Sequence, residues 1–301
     1  MPSVRKNAVW LSAKLFGRVL GIVKPYDVEN LARLAGRRRQ NTEFQRLLFF
    51  AKTFVSEFEG MNYSISENGE KQILQALSEL DVRTIFDVGA NVGNWSRIAF
   101  DAHPNAQIHA FEIVGETRNY LSENLRDARS RISIEECGLS DADGELDVFY
   151  AGGGSATSSI YAPQLGGEMP QRCKVKKGDT FCRDQRIERI DFLKLDVEGA
   201  EARVLRGFEG MFARKAIRVC QFEYNRGAIV SRFLLCDFYE FFARFGYIVG
   251  KLYPEGVLFR PYSLELEDFS GPNYIACHKD DQPVLERIRI AQAPAGLVQS
   301  T

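Results

Sequence analysis

Apolar and polar positions follow two different textures along this chain. Up to residue 80 the apolar positions recur at helical spacing. Ala8, Leu11, Leu15, Val19 and Ile22 share one face, with Lys14 and Arg18 on another. Phe44, Leu47, Leu48, Ala51, Val55 and Phe58 form a second stripe, and Ile73, Leu74, Leu77 and Leu80 a third. Thr42-Glu43-Phe44-Gln45 has the form of a capping box, which predicts Thr42 as the N-cap of the second helix. After Asp81 short β-rich runs alternate with helical segments. The predicted strands are Thr84 to Val88, Gln107 to Phe111, Ile132 to Glu136, Phe192 to Leu195, Val219 to Phe222, Tyr247 to Tyr253 and Tyr274 to His278. The predicted helices are Asn94 to Ala102, Thr117 to Ala128, Ala200 to Phe208 and Phe233 to Phe245. This alternation implies βαβ units around a mostly parallel sheet, with the last two strands as an antiparallel edge. The expected division is a helical extension over 1–80, an α/β domain over 81–279 and a frayed tail over 280–301.

Composition narrows the class. With 301 residues, 45% apolar and 26% charged, the chain can bury a full core and fits neither a disordered nor a polytopic membrane protein. Six cysteines without CxxC spacing read as reduced thiols, and three scattered histidines offer no metal constellation. No metal ligand set is therefore assigned. Charge is uneven. Residues 1–52 hold eleven Lys/Arg against three Asp/Glu, a net of +8, while the remainder holds 28 against 37, a net of −9. A basic arm on an acidic body points to an anionic partner. Lys14 and Arg18 interrupt the most apolar N-terminal stretch, so it predicts neither a spanning helix nor a signal peptide. The expected location is cytoplasmic, with residues 1–52 either capping the acceptor side of the sheet or contacting an anionic membrane face.

The chemistry gathers at strand ends. The first strand exits through Asp87-Val88-Gly89-Ala90-Asn91-Val92-Gly93 and opens a helix. In a doubly wound sheet this is the ligand crevice. An acid before the first glycine would repel a pyrophosphate but suits a ligand with cationic or donor groups, such as S-adenosylmethionine. Asp87, Gly89, Ala90, Asn91 and Gly93 are candidates for holding it. Glu112, at the end of the second strand, is placed to accept both ribose hydroxyls. Ser140, in Gly138-Leu139-Ser140-Asp141, is a candidate beside the adenine. The fourth strand exits as Lys194-Leu195-Asp196-Val197-Glu198-Gly199-Ala200-Glu201 and the fifth ends at Glu223. Asp196, Glu198 and Glu223 are the candidate catalytic acids, Asp196 leading. Burial at the sheet edge raises a carboxylate pKa toward the range of a general base. The glycine- and hydroxyl-rich run Gly152 to Ser159 could act as a lid or be an ordinary surface loop.

Three of these elements together resemble the FkbM-type family of S-adenosylmethionine-dependent methyltransferases. Lys194 to Glu201 resembles the family's K-x-D-x-E-G-x-E signature, Asp87 to Gly93 its D-x-G-A-N-x-G motif and Ala110-Phe111-Glu112 its A-F-E motif. Ser158-Ser159 is similar to its short S-S element. The resemblance runs from Thr84 to His278. It implies a Rossmann-like, seven-stranded methyltransferase sheet, mostly parallel with an antiparallel last strand and helices on both faces. It implies S-adenosyl-L-methionine as methyl donor and O-methylation of a sugar, glycan or natural-product hydroxyl. Two positions depart from the pattern. Ile113 stands where relatives usually have Pro, and Tyr224-Asn225 where a His is common after the acid of the fifth strand. The base is therefore sought among the acids, and a divalent cation on them is the other way to acidify the hydroxyl. The alternatives are an RNA methyltransferase served by the basic arm, and a cofactor-binding module without catalysis.

Overall fold

The computed structural model describes residues 25–150, 152, 158–161, 169–269 and 272–290. The expected helix around Ala8 to Ile22 and most of the Gly152 to Ser159 run lie outside them. The chain divides into two compact units, residues 1–55 and 56–301.

In the first unit, helices span Pro25–Arg37 and, running on past residue 55, Thr42–Phe58. The second helix is capped one residue earlier than the sequence suggested. The Asn41 side chain accepts from the backbone N–H of Glu43 and Phe44 at 3.0 and 3.2 Å, so Thr42 already lies inside the helix. Its partner in the expected box, Gln45, donates instead to the Arg39 carbonyl. No residue of this helix is buried. No described helix is long and apolar enough to cross a membrane.

The second unit is built on an eight-stranded sheet. Its strands are β1 Thr84–Val88, β2 Gln107–Phe111, β3 Ile132–Glu135, β8 Ile190–Leu195, β9 Ile217–Glu223, β10 Tyr247–Tyr253, β11 Gly256–Phe259 and β12 Asn273–His278. The order is β11-β10-β12-β9-β8-β1-β2-β3. The pairs from β3 through to β9 are parallel, and β12 runs antiparallel to both β9 and β10. Seven of these strands are the expected methyltransferase sheet, and β11 is an addition. The antiparallel strand is not the edge that sequence spacing suggested. β12 inserts between β9 and β10, and the edge passes to β11, which the turn Pro254-Glu255 folds back onto β10. Five of the six β12 residues are buried, as a strand flanked on both sides requires.

Side chains alternate across this sheet and feed one core on each face. Phe86, Val88, Leu193, Leu195, Cys220 and Phe222 face the helices that contain Leu205, Phe208, Phe212, Phe238 and Phe242. Ile85, Ile108, Phe192, Val219 and Ile275 face Ile73, Leu74, Trp95, Ala99 and Leu121. Each Val, Leu, Ile or Phe among them stabilises the fold by roughly 1.5–3 kcal/mol on burial. Residues grouped by sequence with the N-terminal extension thus supply core, through the helix Glu70–Ala76. The expected frayed tail likewise contains a packed helix, Gln282–Ile288. Its Val284, Leu285 and Ile288 are buried, and Asp281 caps it while pairing with Arg218 at 2.7 Å.

A second, four-stranded sheet was not expected. Its strands are β4 Gly138–Ser140, β5 Gly144–Tyr150, β6 Ser158–Ser159 and β7 Met169–Lys177, in the order β4-β7-β5-β6. It lies in the chain between β3 and β8, and its inward residues Val148, Tyr150 and Cys173 form a small core with Val114.

Candidate active site

The parallel strands all end along one edge, and three of their exits approach one another there. β1 leaves through Gly89, whose backbone has φ +88°. A Cβ at this position would lie 1.8 Å from the Asp196 carbonyl oxygen, so only glycine lets the β1 and β8 exits come this close. The amides of Gly89 and Ala90 donate to the Phe111 carbonyl at 3.0 and 2.9 Å, which ties the same turn to β2. Glu112 completes the junction. One carboxylate oxygen accepts from the Asn91 amide at 3.0 Å and the other from the Val114 amide at 2.8 Å. Burial pushes its pKa up, against those two bonds and the nearby Arg118.

Beneath this junction runs a row of buried polar side chains on one face of the sheet, in register across three strands: Asp87, Lys194 and Gln221. Asp87 has no exposed surface. It accepts from Ser96 Oγ at 2.6 Å, and its other oxygen lies 3.5 Å from the Lys194 ammonium. Burial raises the Asp87 pKa. Burial alone would lower that of Lys194, but Asp196, Asp87 and Glu70 together hold it above the ordinary lysine range. Lys194 also pairs with Asp196 at 2.9 Å and so fixes that carboxylate at the strand exit.

The β8 exit then turns sharply. Glu198 and Gly199 both take left-handed backbone, φ 50° and 98°. For the glutamate this conformation costs roughly 1–3 kcal/mol and persists only where its surroundings impose it. Glu201 Oε1 accepts from the Val197 amide at 3.1 Å and helps fold the loop. One ligand atom each of Asp196, Glu198 and Glu223 lies within 4.8 Å of the others. Burial first, and the Asp196 charge second, raise Glu198 to about 7 and Glu223 well above its usual range. Asn225 stands where a histidine is common in the family; its side chain lowers the pKa of both glutamates against that burial, and its Oδ1 accepts from the Gly227 amide at 2.6 Å.

A cleft with an empty volume of about 720 Å³, its open mouth included, passes over this edge. Of the residues singled out by sequence, Gly89, Asn91, Glu112, Ser140, Asp196 and Glu198 line it. Asn91 turns a buried side-chain oxygen with no partner among the described residues. Asp87, Ala90 and Gly93 do not line the cleft. Asp87 lies under the floor, bound to Ser96 and beside Lys194. Ala90 is buried. Gly93 is a packing position, where a Cβ would meet Leu121 and Leu125 at 2.8–2.9 Å. Glu223 lines a smaller adjoining cavity with Gly199, Glu201 and Asn225. Sequence reading missed one wall: Leu146 and Val148 from β5, Val175 from β7, and Ile160. The signal was there, because Leu146 and Val148 alternate with Glu145 and Asp147, and Cys173 and Val175 with Arg172, Lys174 and Lys176. Ile113, the departure from the family's Pro, is part of the same apolar lining.

A seven-strand order with an inserted antiparallel strand, and a glycine turn and acid at adjacent strand ends, define a Rossmann-like methyltransferase fold. The family model described as the methyltransferase FkbM domain matches residues 87–249, more than half of the chain's 301 residues. The chain belongs to that family, and the family implies S-adenosylmethionine as methyl donor. Among curated relatives, methyltransferase sdnD of Sordaria araneosa is 32% identical over 42% of this chain and 60% of its own length. The 2-O-methyltransferase NoeI of Sinorhizobium fredii is 28% identical over 46% of this chain and 61% of its own length. The hexuronic acid methyltransferase AglP of Haloferax volcanii is 28% identical over 46% of this chain and 56% of its own length. The chain thus spans about three fifths of the length of these three relatives.

Proposed function

We propose that this protein transfers a methyl group from S-adenosylmethionine to a hydroxyl of a sugar, glycan or glycosylated natural product. The observation that carries the reading is the meeting, in one cleft, of a ribose-type acceptor, Glu112, with the acidic loop Asp196–Glu198. Relatives described as a 2-O-methyltransferase and as a hexuronic acid methyltransferase support the reaction and acceptor class. Glu112 would take the ribose hydroxyls, Gly89 and Asn91 the methionine side, and Ser140 with Leu146, Val148 and Val175 the adenine side.

The donor supplies an electrophilic methyl on a sulfonium. In-line displacement by the acceptor oxygen would break the sulfur–carbon bond, with its electron pair returning to sulfur, and the residues of this chain would hold the two reactants in that line. Holding the reacting atoms at about 3 Å supplies roughly 7–11 kcal/mol of the rate enhancement. The hydroxyl proton needs a base. Asp196 was the leading candidate, but the Lys194 ammonium occupies it. Glu198 borders the same cleft at about 7, a match to the working pH of a general base. We therefore assign proton removal to Glu198, orientation of the acceptor to Asp196, and support of Glu198 to Glu223.

The test is Glu198→Gln in the full chain with labelled donor and a glycoside panel. The expected variant binds donor as wild type does and loses turnover by about 100-fold or more. Full turnover would refute the base assignment. The same three carboxylates are close enough to surround a divalent cation, which would acidify the hydroxyl instead. Turnover that persists in EDTA excludes that route, and a loss restored by magnesium establishes it. Contact of residues 1–52 with an anionic membrane is a further part of the proposal. Its support is the charge of +8 together with exposed Leu47, Leu48 and Phe49. Failure to sediment with anionic vesicles at low salt would remove it.

A further inference from the structure

We propose that Ser159 is a positioning residue for the acidic loop: its hydroxyl clamps the Glu198 backbone and thereby fixes where the Glu198 carboxylate stands in the cleft. The inference rests on the reading of Glu198 as the proton acceptor and adds a residue 39 positions away to that site.

Ser159 belongs to the two-residue strand β6, held against β5 through the pairs Phe149–Ser159 and Tyr150–Ser158. Its side chain is 1% exposed. The hydroxyl donates to the Glu198 carbonyl at 2.8 Å and accepts from the Tyr161 amide at 3.2 Å. Both halves of the hydroxyl are therefore used, one on each side of the junction. Only serine or threonine offers a donor and an acceptor at this reach. The same segment touches the loop a second time. A Cβ on Gly199 would lie 3.3 Å from the Tyr161 ring, so the ring packs almost onto the Gly199 backbone. The two contacts bracket the two left-handed residues of the loop. A glutamate seldom adopts that backbone unaided, and the Ser159 bond lies on the carbonyl of the glutamate itself. Between Ser159 and Tyr161 sits Ile160, which lines the cleft beside Leu146 and Val148. One short segment thus meets both the apolar wall and the acidic loop.

A merely structural serine would affect the whole second sheet alike. A positioning serine affects Glu198 selectively. The experiment uses the full chain with ¹³C-labelled glutamate carboxylates at fixed pH, signals being assigned through Glu198→Gln and Glu112→Gln. In Ser159→Ala the Glu198 signal is expected to move to the position of solvated glutamates, while the Glu112 signal stays. Amide exchange over residues 197–200 should quicken about tenfold, with S-adenosylhomocysteine affinity kept within about threefold. Ser159→Thr, which keeps the hydroxyl, should restore both readouts. An unmoved Glu198 signal in a folded alanine variant would overturn the proposal. So would a folded threonine variant that behaves like alanine, and this second test stands even if the alanine variant does not fold. None of these readouts needs an acceptor. A failed base assignment would appear instead as a fully active Glu198→Gln enzyme.

Discussion

Replacing Glu112 with alanine tests the cofactor site at its most defined point. The two carboxylate oxygens each hold one backbone amide, Asn91 at 3.0 Å and Val114 at 2.8 Å. A carboxylate has about four acceptor positions, so one on each oxygen remains for a ribose diol. Hydrogen bonds to a charged group are worth about 1.5–3 kcal/mol each. Water admitted by the alanine returns part of that loss. The expected weakening of S-adenosylmethionine binding is therefore about 100-fold, ~2.7 kcal/mol. Glutamine is no conservative control, because its amide must turn an NH2 toward one of the two backbone donors. It should weaken binding nearly as much as alanine. The assay is calorimetric titration at pH 8 with both the donor and S-adenosylhomocysteine, beside a melting curve for each variant. A folded alanine variant that binds within about threefold of wild type would refute the ribose role. A folded wild type that binds neither ligand would remove the cofactor reading itself.

Three further outcomes are expected. Turnover should rise with pH through about 7, the Glu198 value, and that limb should vanish from the residual activity of Glu198→Gln, as a pH–rate series would show. Glu201, 5% exposed, is raised by burial from 4.5 to about 7, so between those values the native state keeps a proton that the unfolded chain has released. Its contribution to stability should therefore fall as pH rises through that window, by on the order of 3 kcal/mol, and level off above it. Melting curves from pH 4.5 to 8 should show a flatter difference profile for Glu201→Gln. Gly89→Ala forces a methyl to 1.8 Å from the Asp196 carbonyl, so the β1 and β8 exits must separate. It should abolish measurable donor binding and lower Tm. A variant with normal binding would show that the close approach is dispensable.

How much of this was legible in the sequence depends on what each residue's neighbours are. The core strands declare themselves locally: Thr84–Val88 and Gln107–Phe111 have the predicted bounds, because runs buried on both faces need only their own apolar side chains to be seen. The β4–β7 sheet went unseen although its alternation is present, since short half-buried strands look like the loops around them. The position of β12 between β9 and β10 is a matter of long-range pairing, and no local pattern encodes it. The site divides in the same way. Glu112 lines the cleft because its place at a strand end fixes its direction.

Asp87 is a candidate ligand contact by the same kind of argument, and the partners the structure gives it are Ser96 and Lys194. It sits one residue back from the exit, in register with Lys194, where the pleat turns its side chain into the core face. There it is not among the residues that line the cleft. It can hold Lys194, which in turn holds Asp196 at the surface of the site. The motif's first acid and its signature lysine are thus coupled by strand register rather than by sequence distance. The register also sets apart three carboxylates that look alike in sequence: Asp87 is buried between Ser96 and Lys194, Asp196 pairs with Lys194 at the strand exit, and Glu198, whose backbone carbonyl accepts from Ser159, makes no salt bridge with a described lysine or arginine, as its proposed role in proton exchange requires.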